Sequence, residues 1–198
     1  MDDLELEDLE RELPALSRMT RFAKGLDNIP WFANLGEPLS PGAKAIALQY
    51  TNGLGFPEAD VAILVDWEDA ADAAEHNDWN SPSWEAEELL RADLTSRALD
   101  LLSEEGYSVV TTLISEKVAS YAKEAMEQAG FIWDVTDQGS KELAVGAAAQ
   151  AAHAAGLVLL ASHDPDFDAD GHALSARFRL FEFGRWPISI TGSSFNLF

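Results

Sequence analysis

Residues Leu143–His163 read LAVGAAAQAAHAAGLVLLASH, the longest stretch of the chain without a formal charge, and nine of these residues are alanine. Alanine is the best intrinsic helix former, so the stretch is expected to be helical without help from its neighbours. A helix that is apolar on every side belongs in an interior, and alanine side chains let neighbouring helices come close. The length also approaches the ~20 residues needed to span a bilayer. Gln150, His153, the modest hydrophobicity of alanine, and Asp164, Asp166, Asp168 and Asp170 just downstream argue for a buried core helix instead.

Outward from that helix, the chain of 198 residues fits one globular domain over residues 1–198, with an ordinary apolar fraction of 47%. It has no cysteine, which rules out disulfides, a thiolate nucleophile and cysteine-based metal sites. Met1 is followed by DDLELEDLE, the opposite of a secretory leader, so a cytoplasmic location is expected. The net charge is −22, unevenly spread: residues 1–12 carry −6, residues 58–105 carry −13, and residues 173–198 carry +2. Such a surface repels nucleic acid and anionic membranes, and leaves a basic protein partner, a small-molecule partner or simple solubility as its reading.

Residues 2–24 place Leu6, Leu9, Leu13, Leu16 and Met19 at helical spacing, with Pro14 set to divide the helix. Trp31 and Phe32 are expected to pin the following Pro- and Gly-rich loop. Ser40 and Pro41 open a helix carrying Ala43, Ile46, Ala47 and Tyr50 to about Asn52. Another is predicted from Pro57 through VAILVDWEDAADAAEHND, with VAILV (residues 61–65) as a possible short strand. Ser81 or Ser83 caps the next, with Leu90, Leu94, Ala98 and Leu101 as its buried stripe and Gly106 as its stop. Residues 107–114, YSVVTTLI, have strand-like composition, but Val110, Ile114, Val118, Tyr121, Ala125 and Ala129 continue one helical stripe. The spacing therefore predicts a helix ending at Gly130.

In LSARFRLFEF the residues Leu174, Ala176, Phe178 and Leu180 alternate with Ser175, Arg177, Arg179 and Phe181, a strand pattern. Gly184-Arg185 then fits a hairpin loop, and WPISIT a return strand held to an edge by Pro187. The apolar tail Phe195, Leu197 and Phe198 is expected to dock on the body or on a second copy. The expected fold is mainly α: about six helices around the Ala-rich one, with a small C-terminal antiparallel hairpin. The alternative is α+β, with strands near residues 107–114, 131–136 and 157–162.

The best local motif is Asp166-Phe-Asp168-Ala-Asp170-Gly171, which resembles the opening of an EF-hand Ca²⁺ loop. Arg177 stands where the bidentate Glu belongs, so Asp166, Asp168 and Asp170 offer at most a weak site for Ca²⁺ or another divalent cation. His163-Asp164 resembles the paired ligands of HD phosphohydrolases, without the further His and Asp which that site needs. Asp69, Asp72 and His76 share one helix face and could hold a divalent ion. Glu85/Glu88 and Glu124/Glu127 resemble the acid pairs of all-α Mg²⁺ pyrophosphohydrolases, at a spacing that so acidic a chain produces by chance. No Glu-x-x-His pair, phosphate-binding glycine loop, HExxH or G-x-S-x-G is present.

His153, alone in the central helix, is expected to be a buried neutral imidazole, a ligand or base role being the alternative. The six tryptophans are expected mostly as core anchors, though together they could line a pocket. The expected function is a non-enzymatic binding or regulatory protein acting through protein contacts, its acidic residues 58–105 facing a basic partner. A homodimer through the C-terminal hairpin and tail is a further possibility. The alternative is a metal-dependent hydrolase using Asp and His near residues 163–172 or 69–76, with Asp72, His76 and His163 as candidates. No cofactor is expected beyond such a cation.

Overall fold

The computed structural model describes residues 14–198, in which seven helices and a three-stranded sheet follow one another. The helices are α1 (Pro14–Gly25), α2 (Pro41–Gly53), α3 (Trp67–Glu75), α4 (Pro82–Leu101), α5 (Glu104–Ile132), α6 (Gln138–Ala161) and α7 (Ala173–Glu182). The strands are β1 (Asp60–Ile63), β2 (Pro187–Thr191) and β3 (Ser194–Leu197). The part of the expected first helix that falls on residues 2–13 lies outside the described residues. The protein is mainly α, as its periodicity predicts, and the strands of the α+β alternative do not form: residues 107–114 and 157–161 are helical.

α6 is the Ala-rich helix, and α1, α3, α4, α5 and α7 all pack on it. Asp137 starts it by accepting hydrogen bonds from the Gly139 and Ser140 amides. Its N-terminal half buries one stripe, Ala144, Ala148 and Ala151, while its C-terminal half is covered nearly all round. There Gly156 sits so close to Ile114 and Met19 that an added Cβ would lie 2.5 Å from Ile114 Cδ1 and 2.9 Å from Met19 Cε. Closeness of this kind supplies dispersion contacts that bulkier helices could not reach. Leu157 and Leu160, each 1% exposed, contribute on the order of 1.5–3 kcal/mol apiece by leaving water.

Serines open α2, α4 and α5. The Ser40, Ser81 and Ser103 hydroxyls accept hydrogen bonds from the amides of Ala43, Trp84 and Gly106. The last of these corrects the expected stop at Gly106: α4 ends at Leu101, and Ser103 starts α5 so that Gly106 lies in its first turn. Gly130 likewise does not end α5. The helix runs on to Ile132 and closes at Asp134, which takes the left-handed conformation (φ 54°), with the Val135 amide donating back to the Gly130 carbonyl.

Two further expectations are overturned. The helix predicted from Pro57 is two elements. The VAILV run has no polar stripe to face water, and Val61 and Ile63 turn one face of a strand onto the core beside Tyr50, Leu54 and Phe195. Asp66 then accepts a hydrogen bond from the Asp69 amide and restarts the chain as α3. The strand predicted over residues 174–181 is α7. Its alternation arises because α7 is buried on two sides: Leu174, Phe178 and Phe181 face α6, while Ala173, Ala176 and Leu180 face α2 and the sheet. Two helical stripes at three- and four-residue spacing, superposed, mimic a period of two.

Gly184 (φ +73°) therefore terminates a helix and does not turn a hairpin. A side chain there would collide with the Asn34 amide, 2.9 Å from the Cβ position. The hairpin exists one step later, from β2 through Gly192 to β3. β3 is the central strand, antiparallel to β2 and parallel to β1, with Asp60 opposite Ser194 and Ile63 opposite Leu197. Pro187 does lie on an edge strand. Phe195, Leu197 and Phe198 are docked on the body of their own chain, each at most 1% exposed.

Candidate functional site

α3 lies across the start of α6, fastened where the Trp67 indole donates to the Ser140 hydroxyl (3.2 Å). A cavity opens on each flank. On one side, between α3 and the turn joining α5 to α6, is a cleft of about 600 Å³. Six carboxylates line it (Asp66, Glu68, Asp72, Glu75, Asp134 and Asp137) together with the half-buried Trp67 and Trp133, and no Lys or Arg is among its lining residues. Both indoles pack on Phe198, at 6.0 and 5.0 Å between ring centroids.

Two of these carboxylates have local work. Asp66 caps α3 and Asp137 caps α6, and the hydrogen bonds from Ser140 and Gly139 hold the Asp137 carboxyl below its usual range. Asp72 meets the imidazole of His76 at 3.1 Å on the open surface. Glu68, Glu75 and Asp134 have no cationic partner among the described residues. The six are strung along the cleft: among the described residues no three His, Asp or Glu side chains are grouped as a metal ion would require. The arrangement suits several separated positive charges on an extended ligand.

On the other flank a groove of about 300 Å³ runs between α3, α4, α6 and β2. Trp79, Trp84, Trp186 and Ile188 give it apolar walls, Asn77 and Gln150 offer amides, Glu142 stands at the edge, and Arg177 lies among the lining residues. Trp79 and Trp84 meet at right angles, 4.5 Å between centroids, and the Arg91 guanidinium covers Trp84 at 4.8 Å.

Arg177 belongs to a buried polar cluster. Its Nη1 donates to Glu87, which also accepts from Arg91 Nη1 (2.5 Å) and from the Tyr50 hydroxyl. Glu87 is 4% and Arg177 6% exposed. Burial alone would raise the Glu87 carboxyl, but Arg177 and Arg91 outweigh it and hold the group below its ordinary value. Burial, and then the neighbouring Glu87, pushes the Tyr50 hydroxyl well up, so it stays protonated and donates. Glu87 is thus an ionised carboxylate that welds α4 to α2 and α7. The sequence reading passed over it, although Ser83, Glu87, Leu94 and Ala98 form one buried stripe and a lone acid on such a stripe is a signal of pairing.

The expected site residues do not gather in one place. Asp166, Asp168 and Asp170 are exposed in the loop after α6 and work as turn formers: Asp168 accepts from the Gly171 amide, and the Asp170 carbonyl accepts from Gln49 and Arg179. Asp164 accepts from the Asp166 amide and faces Arg97 at 3.8 Å. His163 is exposed, while Asp72 lines the acidic cleft and pairs with the exposed His76. His153 is half-buried with no hydrogen-bond partner at Nε2 among the described residues, and burial, then Arg91, lowers its pKa, so the ring is neutral. Of the acid pairs, Glu88 engages Arg91 and Glu127 engages Lys141. The tryptophans divide: Trp31 and Trp186 are core anchors, Trp186 also walling the groove, and the other four line the two cavities.

Comparison with protein-family models, with curated proteins and with solved structures finds no match for this chain.

Proposed function

We propose that the protein is a non-enzymatic binding protein whose acidic cleft receives a basic, extended segment of a partner protein. One observation carries this reading: six carboxylates and two indoles line a single cleft that contains no cation of its own. Spaced carboxylates match Lys or Arg side chains at successive positions of a peptide, and the indole edges can cover the alkyl stems or take a cation on a face. The net charge of −22 would speed encounter with such a partner.

The test measures binding of the full chain to an oligolysine peptide at low and physiological salt. The Asp72→Asn/Glu75→Gln double variant changes cleft acids that cap no helix, and Glu104→Gln/Glu116→Gln is the charge-matched control toward the far end of α5. Binding that weakens by about tenfold in the cleft variant, weakens with salt and is unchanged in the control supports the reading. Equal binding by both variants removes the cleft from the function.

A further inference from the structure

We infer that the groove on the opposite flank of α3 is a small-molecule site for a monocarboxylate with a flat apolar body, its acid group held by Arg177. This site is independent of the acidic cleft. Its main observation is a guanidinium with donors to spare. Arg177 is 6% exposed, and among the described residues Glu87 is its only acceptor, reached through Nη1 alone, while the shielded Nε has none. Glu87 is shared, since its oxygens also accept from Tyr50 and Arg91. Arg91 also pairs with Glu88 at the surface, whereas Arg177 has no second carboxylate among the described residues. The Nε atoms of Arg179 and Arg185 likewise lack an acceptor among the described residues, but of these arginines only Arg177 lines the groove, and a planar carboxylate fits a guanidinium edge best.

The rest of the groove sets the class of ligand. Its volume of about 300 Å³ lies at the lower end of small-molecule sites. Trp84, Trp186 and Ile188 suit one ring or a branched chain, and Asn77 and Gln150 can donate to or accept from a second polar group. Glu142 at the edge and the net charge of −22 disfavour dianions, so a single carboxylate is selected over phosphate.

Calorimetric titration of the full chain with 3-phenylpropionate, with its neutral amide and with inorganic phosphate tests the inference. The acid is expected to bind about tenfold or more tightly than either of the others. Arg177→Gln should abolish that preference. Because this change also unbalances Glu87, Ala147→Phe serves as the second variant: it fills the groove from α6 without touching the cluster, and should abolish binding while leaving the fold intact by circular dichroism. No binding of the acid, equal binding of acid and amide, equal binding of phosphate, or binding retained in Ala147→Phe would each overturn the inference.

Discussion

Where α6 crosses α5 and α1 the interior is hydrocarbon, with Gly156 set against Ile114 and Met19, whereas between α4, α2 and α7 it holds a phenol, a carboxylate and two guanidinium groups. The first is held by shape, and added volume there must be taken up by movement of the Ile114 and Met19 side chains. The second is held by charge pairing, in which each partner has been stripped of water and depends on the others. A change of size should therefore be felt in one region and a change of charge in the other.

The largest effect is expected from Glu87→Leu, which leaves two guanidinium groups without their shared carboxylate. Breaking a buried pair from one side costs about 3–5 kcal/mol, so the urea midpoint should fall steeply. Gly156→Ala comes next. Alanine gains roughly 1 kcal/mol of helix propensity over glycine, but the Cβ must displace the side-chain ends of Ile114 and Met19, and overpacking costs about 1–3 kcal/mol. A net loss in urea unfolding is expected, and a net gain would show that α1 and α5 can move apart. Tyr50→Phe removes one hydrogen bond to a carboxylate that keeps two cations, and should cost about 1 kcal/mol by the same measurement.

Acidification should separate the two interiors further. Glu87 has a folded pKa below its ordinary value, so its contribution is complete above about pH 4.3 and is lost as pH falls through the lowered folded value. His153 is also lowered, and for a base this means that the unfolded chain takes up the proton first. Its contribution is complete above about pH 6.5 and is lost as pH falls toward the folded value. Urea unfolding between pH 7.5 and 5.5 should therefore show a modest decline that His153→Gln reduces. The smallest effect is expected at the exposed Asp loop: Asp168→Ala removes one turn hydrogen bond and should change stability by about 0.5 kcal/mol or less.

The hydrocarbon region was legible before the structure because burial there follows one stripe per helix. The alanines of α6 and the series Val110, Ile114, Val118 announce themselves, as do the serine caps at Ser40 and Ser81. α7 was not legible, because two buried faces cancel each other's period. β1 was legible only as the alternative reading of VAILV, since its partner is supplied by residues 194–197, far along the chain. The pairing within the polar cluster is hidden for the same reason: Tyr50, Glu87 and Arg177 come from three helices, so the buried stripe of α4 marks Glu87 but not its partners. In the sequence Arg177 stands out only as the residue that spoils a Ca²⁺ loop and as a polar position of the expected strand.

The strand order β1-β3-β2 also has a consequence for how the chain is made. The middle strand is the last of the three to leave the ribosome, so β1 waits with its edge open through the synthesis of α3 to α7. The α5–α6 hairpin, built from contacts close in sequence, can form during that wait. Nascent chains stalled before Ser194 should then protect α5 and α6 from proteases while leaving Asp60–Ile63 open to cleavage, and release of the last strand should close the sheet in one step.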